Sequence, residues 1–449
     1  MSRALEVADK VLEMVARAAP AADAEVAVSD GHTALTRFAN SFIHQNVGEA
    51  DLTVMLRATV DGRAASSSTT AIGDEGLERL VAGTLAAARL RPEDPDWPGL
   101  AGAAPVPDVD HYDEATEFAE PAERAGIVKA FVDRGEGLLA AGYCDSEGGT
   151  RAFVNSAGQR VSGRSSRATL DAIHQVGETF HAAGKAHATS SRLADLDGSA
   201  GGARAAQKAR DSAEPIELEP GRYEVVLEPE CVGEMLSFLM FYGFNAKQLI
   251  EGQSFVALGE RQFDESITLV DDVTDPRAIG TVFDMEGTPK RSLDLVRGGV
   301  SEAVVHDRRT AKKMDTESTG HAIPGGESWG AFPENVFLAA GDTSPADMIA
   351  SIDRGLLVTE FNYCRILDPK TQVVTGLTRN GTFVIENGKV AGAIKNLRFT
   401  QSFVDALAPG AIRAVGNDAR FAAAEFGMGI VHCPTLHLAS WNFTGGARG

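Results

Sequence analysis

Between Glu230 and Gly243 the chain reads ECVGEMLSFLMFYG, a nearly unbroken apolar run with one carboxylate inside it. On a helix, at about 100° per residue, Glu234 shares a face with Phe238 and Phe241. The opposite face carries Val232, Leu236 and Leu239, so the segment is apolar all round and is expected to be buried. An ionised carboxylate buried without a partner is costly. Glu234 is therefore either a catalytic acid or base, or a structural group satisfied by a backbone or inter-subunit partner.

The other residues with reactive potential are scattered. His432-Cys433-Pro-Thr-Leu-His437 in the tail is the one thiol–imidazole cluster. On a single strand, Cys433 and His437 would point to the same face, as two metal ligands must. Two ligands do not hold a zinc ion, and no third is evident; a buried thiol beside a hydrogen-bonded histidine is the plainer reading. His181 and His187, in HAAGKAH, do not share a helix face. Three acid-rich turns, FDESITLVDD, VFDMEGT and DRRTAKKMD, offer carboxylates for acid–base work. Their spacing is also that of solvated β-turns, which is the expectation here. No phosphate-cradling glycine loop, nucleophile elbow, HExxH or CxxC motif occurs.

Stepping outward, the first helix buries Leu5, Ala8, Val11, Leu12 and Val15 at three- and four-residue spacing. Alternating segments follow, with Asp61-Gly62 as a type I′ hairpin signal. A helix is expected over 74–90, then a Pro/Asp-rich connector and a helix near 121–135. Strands with Gly-rich turns run from 137 to about 175, and 188–215 reads as a helix and linker. After Pro215 a buried strand, YEVVLEP, leads into the Glu234 helix. Beyond residue 265 short strands dominate, including AVVHDRRTA, a hairpin at Asn387-Gly388 and a final strand pair in the tail. The expected architecture is α+β: a layered N-terminal α/β domain over 1–215 and a mostly β C-terminal domain over 216–449.

Composition narrows the function classes. A 43% hydrophobic content over 449 residues can fill a sizeable core, and the net charge is −21. Such a surface repels phosphate backbones and anionic lipid, which argues against nucleic acid and membranes as partners. Cys144, Cys231, Cys364 and Cys433 form no pairs in sequence and read as reduced thiols. The N-terminal helix is charged throughout and lacks a signal peptide's apolar core, and no run is long enough to span a bilayer. A cytoplasmic protein is expected.

Several segments together resemble the TldD/PmbA (TldD/TldE) family. They are RFANSFIHQN, the PAERA helix, FDMEGTPKRSLDLVRGGVSEAVVHDRRTAKKMDTESTGHA, PENVFLAAGDTSPADMIASIDRGLLVTE and GTFVIENGKVAGAIKNLRFTQSF. They span nearly the whole chain in the family's order. The resemblance implies a cytosolic peptidase built as a pair, acting on unfolded peptides or on ribosomal peptide natural-product precursors. In it a TldD-type subunit carries zinc through an HExxxH helix and a C-terminal cysteine, and a TldE-type subunit lacks that motif.

Aligned on Glu234, the two histidine positions of that motif are Gly233 and Phe238, neither of which binds metal. Cys433 lies near the expected place of the cysteine. The resemblance thus implies a TldE-type subunit with no cofactor of its own, zinc on a TldD-type partner, and Glu234 as a relic. The alternative is a stand-alone homodimer that handles a peptide-derived metabolite without metal, with Glu234, Cys433 and His437 as its candidate residues. A pure scaffold or regulatory binding protein is the third possibility. In the family's cleft an extended peptide would pair with a strand edge, which suits substrates of varied sequence.

Overall fold

The computed structural model describes residues 2–177, 182–423 and 430–446. In its N-terminal half, α1 (Arg3–Ala18) precedes β1 (Asp23–Ala39), β2 (Phe42–Val60) and β3 (Arg63–Thr69), and α2 (Asp74–Leu90) follows. Ser2 caps α1 by accepting the Leu5 N–H. Asp61 and Gly62 take φ of 49° and 73°, the double left-handed geometry expected of the type I′ turn. After the connector come α3 (Glu114–Glu117), α4 (Pro121–Asp133), β4 (Leu139–Asn155), β5 (Arg160–Gln175), β6 (Ala183–Ser190) and α5 (Gly198–Asp211).

The six strands make one antiparallel sheet in the order β3-β2-β1-β4-β5-β6. Its even-numbered positions, such as Val26, Val28, Leu56 and Leu170, form the cores shared with the helices. The helices therefore cover one face. Gly202 lets α5 lie against α4, because a Cβ there would stand 2.4 Å from the Phe131 carbonyl oxygen. The odd-numbered face turns toward the C-terminal half, where Phe153 and Val161 pack on Val273, Val282 and Phe283.

The second half holds β7 (Gly221–Leu227), α6 (Pro229–Tyr242), α7 (Ala246–Ile250), α8 (Arg308–Lys313) and two further sheets, one of six strands and one of nine. In the larger sheet β7 lies between the parallel strand Arg354–Val358 and the antiparallel strand Leu436–Gly446. Helix α6 is sandwiched, touching Arg420–Ala423 and Ile430–Cys433 of the smaller sheet on one side and β7 and Phe361–Asp368 of the larger on the other. This explains why its sequence is apolar all round: both flanks meet a sheet. The core about it includes Val225, Leu236, Leu239, Phe244, Val336 and Trp441.

The expected α+β class is the one observed. Two local expectations are corrected. AVVHDRRTA is not a strand throughout: Asp307 accepts the Thr310 N–H in a capping box and starts α8 there. The tail is not a single strand pair either. Ile430–Cys433 belongs to the six-stranded sheet and Leu436–Gly446 to the nine-stranded one, with Pro434 and Thr435 at the corner. Proline supplies no N–H for a ladder, which suits it to a place where the chain changes sheets.

Candidate functional site

Glu228 precedes α6 and Pro229 occupies its first turn, where a missing N–H costs nothing. Glu234 is 2% exposed, as its apolar surroundings in sequence imply. The helix lies so close to its neighbour that a Cβ on Gly233 would stand 3.0 Å from the Ala422 Cβ. An imidazole at Gly233 would need that strand to move. The Ser237 hydroxyl donates to the Gly233 carbonyl, tightening the same turn. Phe238, half-buried, stacks on Tyr242 and meets Phe403 edge-on. Where a metal helix presents ligands, α6 presents a glycine packed on a strand and an aromatic ring.

The tail residues do not come together as a ligand pair. The Cys433 thiol donates to the Pro229 carbonyl at 3.4 Å. Burial pushes its pKa well above the usual thiol range. His437 sits in the other sheet with Nε2 2.8 Å from Glu224 Oε1. Cys433 and His437 do not share a strand, because the chain changes sheets at Pro434. His432 packs between Phe337 and Phe421, and burial holds its pKa down at about 4. His181 lies outside the described residues. Among the described residues no three His, Cys, Asp or Glu side chains converge as a metal set. The described residues therefore offer no such set for zinc.

What surrounds the start of α6 is a charged network that ties the two halves together. Glu230 is 7% exposed, and Arg420 grips both its oxygens, at 2.7 and 2.9 Å. Burial opposes ionisation of Glu230, but Arg420 and Lys208 outweigh it and hold the carboxyl below its ordinary range. Lys208 of α5 also bonds Glu228. On β6, Lys185 lies 2.9 Å from Glu360 and 3.3 Å from Asp171. Burial works against its charge, yet these two carboxylates more than offset that and raise its pKa.

His187 bonds Asp171 through Nδ1 at 3.0 Å and Thr189 through Nε2 at 2.9 Å. Hydroxyl, imidazole and carboxylate in that order could form a nucleophile relay. Here the imidazole is 2% exposed and Lys185 shares its carboxylate, so the arrangement ties β5 to β6 within one sheet, and Lys185 alone reaches across to Glu360. Sequence reasoning missed this network. Bonded members lie up to 190 residues apart, and no spacing signal links them.

The acid-rich turns are less solvated than expected. Asp284 is 2% exposed and accepts N–H groups of Glu286, Thr288 and Ala322. Asp271 accepts the N–H groups of Glu334 and Asn335 and faces His321 at 3.2 Å, both side chains fully buried. These carboxylates stay inside because they satisfy backbone donors the turns leave open. Arg57 on β2 lies between Glu25 (3.6 Å) and Glu286 (4.0 Å) and stacks on Trp97. The four cations of α8 hold the connector: Arg308 bonds the Gly99 and Leu100 carbonyls, Lys312 that of Trp97, and Arg309 and Lys313 pair with Asp94 and Asp96. Next to this joint, a polar cleft of about 490 Å³ opens over the odd-numbered sheet face, bordered by Asp51, Glu147, Arg151, Thr281, Lys290 and Glu334.

Comparison with known proteins places these features in context. Residues 220–445 match a family model described as the PmbA/TldA metallopeptidase C-terminal domain, and residues 24–88 match its domain 1. The chain is 23% identical to an Escherichia coli metalloprotease named PmbA, over 92% of this chain and 91% of that one. It is 26% identical to a Methanocaldococcus jannaschii metalloprotease, where the match spans only 42% of either chain. The crystal structure of TldE from Thermococcus kodakarensis superposes with a TM-score of 0.86 at 20% identity, over 98% of this chain and all of that one.

Proposed function

The chain belongs to the PmbA/TldD metallopeptidase family, and on that premise we propose that it is the metal-free, TldE-type subunit of a two-subunit zinc peptidase. The carrying observation is α6, where Gly233 abuts Ala422 and Phe238 packs on Tyr242 and Phe403. The zinc would sit on a TldD-type homologue, and this chain would complete and brace the cleft. Its substrates would be unfolded peptides or peptide natural-product precursors. The acidic and basic groups bordering the polar cleft suit the two termini and mixed side chains of such chains. The pair would work in the cytoplasm. Among the described residues no helix is long and apolar enough to cross a membrane.

The second reading, a homodimer with metal-free chemistry of its own, needs Glu234, Cys433 and His437 as reactive groups. It has less support, since Cys433 is bonded to Pro229 and His437 to Glu224 in different sheets. Glu234→Gln separates the two. As a relic, Glu234 should tolerate the change at a cost under about 1 kcal/mol, one neutral hydrogen bond replacing another. Turnover of the reconstituted pair should stay within a few-fold of wild type. A general base contributes roughly 10²–10⁴-fold. A loss of that size with an intact complex and unchanged melting would favour the second reading.

A further inference from the structure

The polar cleft of about 490 Å³ has glycines at the centre of its floor. Strand register sets Asp51, Gly31, Gly149 and Ser165 in one row across β2, β1, β4 and β5. A Cβ on Gly31 would stand 2.5 Å from the Gly148 carbonyl oxygen, and one on Gly149 2.4 Å from that of Asp30. The two glycines therefore leave a trough that no side chain fills without moving the sheet. The neighbouring row is Thr53, Ser29, Arg151 and Gly163, where Arg151 donates to Thr281 of the C-terminal half at 3.5 Å.

Most charges bordering the cleft are already paired: Glu147 with Arg167 at 3.1 Å, Lys290 with Glu334, and Asp30 with Arg3 at 3.9 Å. Two are not. Among the described residues Arg151 has no carboxylate partner and Asp51 no cationic one, its carboxylate accepting the Thr53 hydroxyl at 2.7 Å. We propose that the cleft binds a short free peptide by both ends, its ammonium on Asp51 and its carboxylate on Arg151. A guanidinium takes a carboxylate through two parallel N–H donors, and a carboxylate accepts the N–H groups of an ammonium. Asp51 and Arg151 lie two strands apart and two residues out of step, which puts their Cα atoms roughly 12 Å apart. An extended peptide spans about 3.4 Å per residue, so about three or four residues fit the gap. The cleft's volume falls within the ordinary range for a small-ligand site. The inference rests on reading this cleft as a peptide site, and adds that it takes free peptides recognised by their termini.

Titration calorimetry on the purified chain tests this with tetra-alanine, its N-acetyl form, its amide and the doubly blocked form, which stands in for an internal segment. Free tetra-alanine should bind saturably. Blocking either end should weaken binding at least about tenfold, the scale for losing a hydrogen bond to a charged group. Asp51→Asn should bind the free and acetylated peptides alike while still discriminating against the amide. Arg151→Gln should do the reverse. Neither residue is ion-paired, so both variants should melt with wild type, and the blocked peptides test wild type without any variant. No binding of free tetra-alanine, equal binding of the doubly blocked form, or folded variants that discriminate as wild type does would each overturn the proposal. The subunit reading is judged separately, by metal content, since neither zinc nor a partner enters this assay.

Discussion

Replacing Arg420 by methionine is expected to destabilise the protein by about 3 kcal/mol, the scale for removing one partner of a buried ion pair. Glu230 would remain 7% exposed in the first turn of α6 with its bidentate partner gone. Two features place the effect at the lower end of the known range. Lys208 also acts on Glu230, and the Arg420 side chain is itself 29% exposed. The N-terminus of α6 favours a nearby negative charge but does not replace the guanidinium.

Urea denaturation at constant pH measures the loss. The double variant Arg420→Met with Glu230→Gln should recover most of it, because no uncompensated charge is left inside. A single variant within about 0.5 kcal/mol of wild type, the scatter of ordinary surface changes, would mean that the pair does not anchor the helix.

Stability should also fall as pH rises from 6.5 to 9, by about 2 kcal/mol. Burial raises Glu25 from 4.5 to about 7 against the opposing pull of Arg57 and Arg308. It raises Glu286 from 4.5 to about 8, helped by the negative charge of Asp284. Asp284 is raised to about 6, again chiefly by burial. Each of these groups binds its proton more tightly in the native chain than in the unfolded one. Their contribution is full below the unfolded values and is lost as pH climbs through the folded ones.

Below pH 6.5 the buried His432, His174 and His306, all with lowered pKa, work the other way. Asp171, Glu230 and Asp271, held low by cationic partners, matter only in strong acid. Above 6.5 Glu25 and Glu286 dominate, and at about 1.4 kcal/mol per unit their combined loss, less the half of the histidine titration that lies above 6.5, reaches the stated size. Glu286→Gln keeps an acceptor for the Arg308 N–H and removes the charge. It should flatten the slope and exceed wild type in stability at pH 8.5. Equal, flat profiles for both proteins would show that the joint does not titrate in this range.

How much of this was legible in the sequence depends on whether the determinant is local. α2 was, because its apolar positions recur with helical period between Gly73 and Arg91. So was the Asp61-Gly62 turn, whose residue types tolerate positive φ. The turn at Asn40-Ser41 has φ of 50° and 65° but no glycine to announce it, so β1 and β2 did not emerge as one long hairpin. Helix α6 was legible as buried, but only the two sheets around it show why a Cβ at Gly233 meets Ala422. The Lys185, Asp171 and Glu360 contacts were not legible, since tertiary folding alone brings them together. Cys433 as a buried thiol and His437 as a hydrogen-bonded histidine were legible, but the corner at Pro434 that puts them in different sheets was not.

The most direct measurement is the zinc content of the chain purified alone, joined to a peptidase assay with and without chelator. The metal-free reading predicts substoichiometric zinc and no cleavage by the isolated chain, with chelator-sensitive cleavage appearing only when a zinc-bearing TldD-type homologue is added. One tightly bound zinc per chain, with chelator-sensitive cleavage by the chain alone, would contradict it.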